Sequence, residues 1–273
     1  MNEIMQKLGI NVNLSFMLIF ASLIWVRMLA IVTVIPFLFG KPVPKIVRVG
    51  GSMVLAAFAY KHLITSAPPT ITEDMLVLSI LYLKEIFIGL IIGFGAGLIF
   101  YGFEAAGQMV DNQRGMSIAR VLIPELGTQS SLIGTFLFQF SIVIYLTAGG
   151  HHLFLNAVYG SYQTLPLFEF PNIASGFFPL MEFFIWLTGQ TLVLSVQIAA
   201  PVIIAILIAD IILGVANRIA PQINVWELGF NVKGYFGILA LFWAITLIVD
   251  QMEHYTFLSS RELVRVIEML KGQ

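Results

Sequence analysis

A polar run, Glu104, Gln108, Asp111, Asn112, Gln113 and Arg114, follows directly on a stretch from Ile86 to Phe103 that carries no charge. No other feature restricts the fold as much. Lipid offers polar groups no hydrogen-bond partner, so such a run must lie in water, inside protein or along an aqueous path. Composition sets the surroundings: of 273 residues, 59% are hydrophobic and 11% charged, whereas a soluble domain carries about 25% charged residues. The chain therefore reads as an integral membrane protein built from helices, an all-α fold. Its net charge of −1 offers no broad basic surface for nucleic acid. The absence of cysteine excludes disulfides and thiolate chemistry. Met1 to Ser15 lack the charge pattern and cleavage site of a signal peptide, so the first span is expected to be retained.

About six apolar segments follow one another. Leu14 to Phe39 is interrupted by the intramembrane charge Arg27 and closed by Pro36 and Gly40, and the basic link Lys41 to Arg48 reads as a cytoplasmic loop. Gly50 to Thr65 is short for a span, which needs about 20 residues. Glu73 and Asp74 suit the N-terminus of the next helix, Met75 to Met109. Gly89, Gly93 and Gly97 lie on one i+4 row of that helix, where small residues admit a neighbouring helix at close range. Ser131 to Ala148 is the fourth segment, and Gly149 to Gly176 has no Lys or Arg, the mark of a non-cytoplasmic stretch. Phe177 to Ala209 contains Pro201 and is expected to kink there. Asp210 opens a second polar connection with Arg218, Pro221, Gln222, Asn224 and Glu227. Tyr235 to Val249 ends the apolar part, and Asp250 to Gln273 forms an amphipathic tail. Simple alternation across a membrane places the basic tail outside, against the positive-inside rule, so either one polar stretch is re-entrant or some helices do not span.

No catalytic constellation is present in the sequence. His62, His151, His152 and His254 lack the spacing of a zinc site, and no serine has an evident His and acidic partner. No cofactor or metal is expected. The intramembrane charges carry more information, since they are expensive unless they serve structure or a pathway. Lys84, Glu182 and Asp210 read as groups that pair with neighbours or reach an interface. Glu85, Glu104, Asp210 and Arg218 are the candidate buried charges, and a proton relay through Glu85 and Glu104 is the sharper reading of that set. Asp111 and Arg114 stand at i,i+3, the spacing of a local ion pair on a helix. If the polar run folds back into a protein-lined cavity, Gln108, Asp111, Asn112, Gln113 and Arg114 face water. Met109 and Met116 then seal against neighbours, while Gly107 and Gly115 act as joints.

Two motifs carry a family resemblance. The first runs from Leu83-Lys-Glu-Ile-Phe-Ile-Gly89 through Phe103-Glu-Ala-Ala-Gly107 to Asp111-Asn-Gln-Arg-Gly115. The second joins Pro201 with Ala209-Asp-Ile-Ile-Leu-Gly214, Asn217-Arg-Ile-Ala-Pro221-Gln-Ile-Asn224 and Leu228 to Lys233. Together they resemble the FliR/SctT family of type III secretion export-gate components, with Asp111 to Gly115 closer to the virulence injectisome branch than to the flagellar one. The resemblance implies a non-enzymatic, multi-pass subunit of the bacterial inner membrane, serving the export of unfolded proteins. It also implies one copy assembled with five copies of the R component and four of the S component, in contact with the switch (U) and export-motor (V) components. Residues 1–176 resemble the R component, and 177–273 an S-like hairpin with an amphipathic tail. The stretch 107–129 is similar to the family's plug, which obstructs the closed pore. The competing reading is a proton- or ion-coupled small-solute transporter.

Overall fold

The computed structural model describes residues 14–40, 43–63, 74–116, 131–170, 173–222 and 224–271. Among these every regular element is an α-helix: α1 (Leu14–Val34), α2 (Lys45–Leu63), α3 (Met75–Gln113), α4 (Leu132–Thr147), α5 (Gly150–Thr164), α6 (Ile173–Ile219) and α7 (Val225–Lys271). Each of the six apolar segments expected from the sequence is helical over most of its described length, although α1 ends at Val34, short of Phe39. Four helices (α1, α3, α6 and α7) are long and apolar enough to cross a membrane, and a fifth span arises if α4 and α5 form one broken crossing. The seventh helix, α5, was not expected. Its sequence is half polar and opens with Gly149-Gly150, which reads as a break, and Gly149 does take a left-handed φ of +79° there.

The chain divides into two compact units, each discontinuous in sequence. The first comprises Met1–Gly97, His152–Phe183 and Ser260–Gln273, the second Leu98–His151 and Phe184–Ser259. This division does not follow the boundary at 176/177.

In the first unit, α1 and α2 run antiparallel, as the pairs Trp25 with Ser52 and Phe20 with Tyr60 show. α3 runs parallel to α1. Its start is capped by Asp74, whose Oδ1 accepts from the Leu76 N–H at 3.1 Å and so satisfies an orphan donor of the first turn. The glycine row then seats α3 on α1. A Cβ on Gly89 would stand 2.7 Å from both the Arg27 carbonyl oxygen and Ala30 Cβ, and one on Gly93 3.0 Å from the Ile31 carbonyl oxygen. Gly97 is buried on the same row. Backbone cannot yield as a side-chain tip does. Gly93→Leu is therefore expected to separate α1 from α3, and the check is the yield of assembled protein on a native gel. Wild-type yield would contradict the packing.

In the second unit, α4 runs antiparallel to the end of α3, with Phe100 against Tyr145 and Tyr101 against Phe138. α6 meets α3 at Gly102, whose carbonyl accepts from Ser195 Oγ at 2.9 Å. α6 and α7 form a hairpin joined by a short turn around Pro221. Pro201 lies inside one continuous helix. One sequence expectation changes here: the polar residues from Asp210 to Arg218 are helical, not a connection. The hairpin turn comes later, where Asn224 caps α7: its Oδ1 accepts from the Glu227 N–H and its Nδ2 donates to Glu227 Oε2. The amphipathic tail is the continuation of α7, which has no break at Asp250.

Candidate functional site: the polar end of α3 and a buried ion cluster

The polar run does not form an irregular loop at its start. α3 stays helical through Gln113, and the helical period sorts its side chains onto different faces. Phe103, Gly107 and Asp111 share one i+4 row and are buried, together with Ala106 and Val110. Gln108 and Asn112, also four apart, lie on the exposed face. Met109, Gln113 and Met116 are half-buried. The expectation that Asp111 and Arg114 face water is therefore corrected. The Asp111 residue is 0% exposed, and the Arg114 side chain only 10%.

Among the described residues Asp111 has three partners. Its Oδ2 accepts from Ser131 Oγ at 2.5 Å and from the Ile133 N–H at 3.0 Å. Its Oδ1 pairs with Arg114 Nη1 at 3.1 Å, the i,i+3 contact expected from the spacing. Ser131 in turn caps α4 by accepting from the Gly134 N–H at 2.8 Å. The carboxylate thus sits at the positive end of the α4 dipole, where negative charge is favoured. Close approach makes this geometry available: a Cβ on Gly107 would overlap the Gly134 backbone. Gly107 is consequently a packing residue within the helix, not a joint. Gly115 is the joint. It takes φ +85° beside the Phe230 ring, a conformation that a side chain would strain. The Arg114 aliphatic stem covers Gly237 of α7 at 2.7 Å from where a Cβ would stand. The rest of the expected plug, 117–129, lies outside the described residues.

The other intramembrane charges separate by environment. In the first unit Arg27 and Glu85 are both 0% exposed and pair at 2.5 Å through Nε and Oε2. Lys84 Nζ holds the other Glu85 oxygen at 2.9 Å and donates to the carbonyls of Pro166, Leu167 and Glu169. Arg27 also donates to Ser161 Oγ and the Leu165 carbonyl and lies over the Tyr162 ring at 4.2 Å. This cluster fastens α1 and α3 to the segment that leaves α5. Sequence reasoning named Arg27, Lys84 and Glu85 separately but missed that they form one unit, because Arg27 and Glu85 are 58 positions apart. A signal existed: two cations and one anion in adjacent apolar spans must pair to lie in a membrane.

The remaining candidates are not buried. Glu104 is half-buried and Arg218 exposed. Asp210 pairs with Lys233 at 2.6 Å, but the two side chains are 32% and 27% exposed. Partly exposed pairs of this kind contribute about 0–1 kcal/mol at a protein surface. Asp210→Asn is expected to shift the thermal midpoint of the detergent-solubilised protein little. A loss like that of a buried-cluster variant would contradict this placement. Glu182 is exposed on α6.

The model of "Bacterial export proteins, family 1" matches residues 18–258. The flagellar biosynthetic protein FliR of Bacillus subtilis is 28% identical over 250 residues, covering 90% of this chain and 94% of its own. The Yop proteins translocation protein T of Yersinia pestis is 33% identical over 221 residues, covering 81% of this chain and 83% of its own. The surface presentation of antigens protein SpaR of Salmonella typhimurium is 29% identical over 223 residues, 81% of each chain. With a family match over most of its length and a relative at this identity and coverage, the chain belongs to the FliR/SctT family of bacterial export proteins.

Proposed function

We propose that this chain is a non-enzymatic subunit of a type III secretion export gate in the bacterial inner membrane, lining part of the conduit for unfolded proteins. The observation that carries the proposal is the mismatch between its helices and a bilayer. α6 and α7 have 47 residues each, roughly 70 Å at 1.5 Å per residue, against a hydrocarbon core of about 30 Å. The apolar window of α7 is only 17% buried within the chain. Helices of that length and exposure need further helices beside them. The R and S components supply these in the proposed assembly, with the switch and motor components at its cytoplasmic side. The names of the relatives, a translocation protein and a flagellar biosynthetic protein, agree with export as the task. The injectisome branch is the one favoured here, on the Asp111 to Gly115 motif.

Within this reading, the stretch 107–129 obstructs the closed pore, and its first part carries the Asp111 bonds to the start of α4 and the Gly115 turn. Copurification tests the subunit role. Mild detergent extraction is expected to yield this chain in a complex with several different helical chains. A monomer or homo-oligomer active in solute uptake would favour the transporter reading. The geometry weighs against a relay in that alternative, since both Glu85 oxygens are held by cations.

A further inference from the structure

One row of the last turns of α3 is polar and open. Glu104, Gln108 and Asn112 stand four residues apart on it, the first half-buried and the other two exposed. The row is about 12 Å long at 1.5 Å per residue. The Glu104 carboxylate has no hydrogen bond or ion pair among the described residues. The nearest cation along α3, Arg114, is held by Asp111. The surroundings at this height are apolar. A Cβ on Gly134 of α4 would stand 2.9 Å from the Glu104 carbonyl oxygen, and on either side of Gly134 α4 exposes Leu132 and Phe136. α4 has no charged residue. α6 meets Gly102 through Thr191 and Ser195 and exposes Leu192 and Val196 beside them. Exposed Leu, Val and Phe suit lipid or apolar neighbours. A carboxylate at the same height with no cation beside it needs water.

We infer that Glu104 is a specificity-determining residue of the conduit. With Gln108 and Asn112 it lines the aqueous path, and its carboxylate makes that path favour cationic over anionic solutes and chain segments. The inference rests on the export-gate reading, in which the chain leaving α3 obstructs the pore, so that the last turns of α3 flank that pore. The row of Gly107 and Asp111 is already sealed against α4, which leaves the Glu104 row to face the path. The charge acts without a bonded partner. Side chains at i,i+4 are about 5–6 Å apart, and at that range a unit charge changes the local concentration of a monovalent ion about threefold, even at the dielectric constant of water.

The test introduces Gln108→Cys, at an exposed position, into a chain with no native cysteine. The assembled complex in membrane vesicles at low ionic strength is treated with two small methanethiosulfonates, one carrying trimethylammonium and one sulfonate. Labelling rates are read on this chain by its mass. Both reagents are expected to react. Adding Glu104→Gln should lower the ratio of cationic to anionic rate about tenfold, threefold from each reagent in opposite directions. Adding Glu182→Gln, an exposed acid on α6, should leave the ratio unchanged. A ratio that ignores Glu104 would overturn the inference. So would an absence of labelling, because lipid or a partner helix would then cover the row. Equally fast reaction with a bulky polyethylene-glycol methanethiosulfonate would also overturn it, since the row would then open to bulk water. The chains recovered with the labelled protein report on the gate assignment separately. A hetero-complex whose ratio ignores Glu104 keeps the gate and refutes the inference, whereas a homo-oligomer with the tenfold change refutes the gate and keeps an acidic aqueous path.

Discussion

Glu85→Ala is expected to be the most damaging single truncation of a charge in the chain. It leaves Arg27 and Lys84 buried together with no anion between them. Removing one member of a buried ion pair costs about 3–5 kcal/mol, mostly as the penalty of the charge left behind. Here two cations are left, so the upper end applies. Arg27→Ala should cost less, because Lys84 still neutralises Glu85, although the Leu165 carbonyl and Ser161 lose a donor. The measurement is the thermal midpoint of each variant in detergent. The expected order of stability is wild type, then Arg27→Ala, then Glu85→Ala. Equal midpoints for Glu85→Ala and wild type would mean that the cluster does not hold the unit together.

The second large effect is steric. Gly107→Leu places side-chain atoms where the Gly134 backbone already lies. Overpacking a core against movable side chains costs about 1–3 kcal/mol, and rigid backbone exceeds that range. α3 and α4 must separate, which also withdraws Asp111 from the α4 N-terminus. No assembled protein is expected. Gly189→Ala is the control: a Cβ there meets nothing within 4 Å, and Ala is favoured over Gly inside a helix by about 0.5–1 kcal/mol. Normal yield for Gly189→Ala with none for Gly107→Leu would assign the loss to the α3–α4 contact. Normal yield for both would refute it.

What the sequence discloses here follows from periodicity and local spacing. The apolar runs give the helices, because a span needs length and hydropathy that no other element supplies. The i+4 glycine row gives a packing face, and Asp111 to Arg114 gives an ion pair, since both lie within two turns. Contacts between distant segments are less legible. Nothing local shows that Glu85 meets Arg27, or that Asp111 turns inward to cap α4 while Asn112, its neighbour, lies on the exposed face. Polarity alone suggested that both face water. The period of 3.6 residues separates them, and only the placement of Gly107 beneath Gly134 shows which face is the inner one. The α6–α7 turn lies inside the polar connection read from Asp210 onward, at Pro221 and the Asn224-to-Glu227 cap, but the connection was started too early. Asp210 and Arg218 read as part of it by charge, whereas a helix tolerates charges on its exposed face. The break before α5 was read correctly at Gly149, and the helix beyond it was missed because its half-polar sequence carries no span signal.

The central claim is that the stretch beginning at the end of α3 closes a conduit, and membrane leakage tests it most directly. Deleting Gln113 to Ser117 removes Arg114 and the Gly115 turn but keeps Asp111 with its bonds to Ser131 and Ile133, so α4 remains capped. In cells expressing the assembled gate, ion conductance and small-dye uptake across the inner membrane should rise well above wild type, with the complex still recovered intact. An intact complex carrying the deletion in a membrane as tight as wild type would contradict the claim, and the stretch would then be an ordinary connection between two helices.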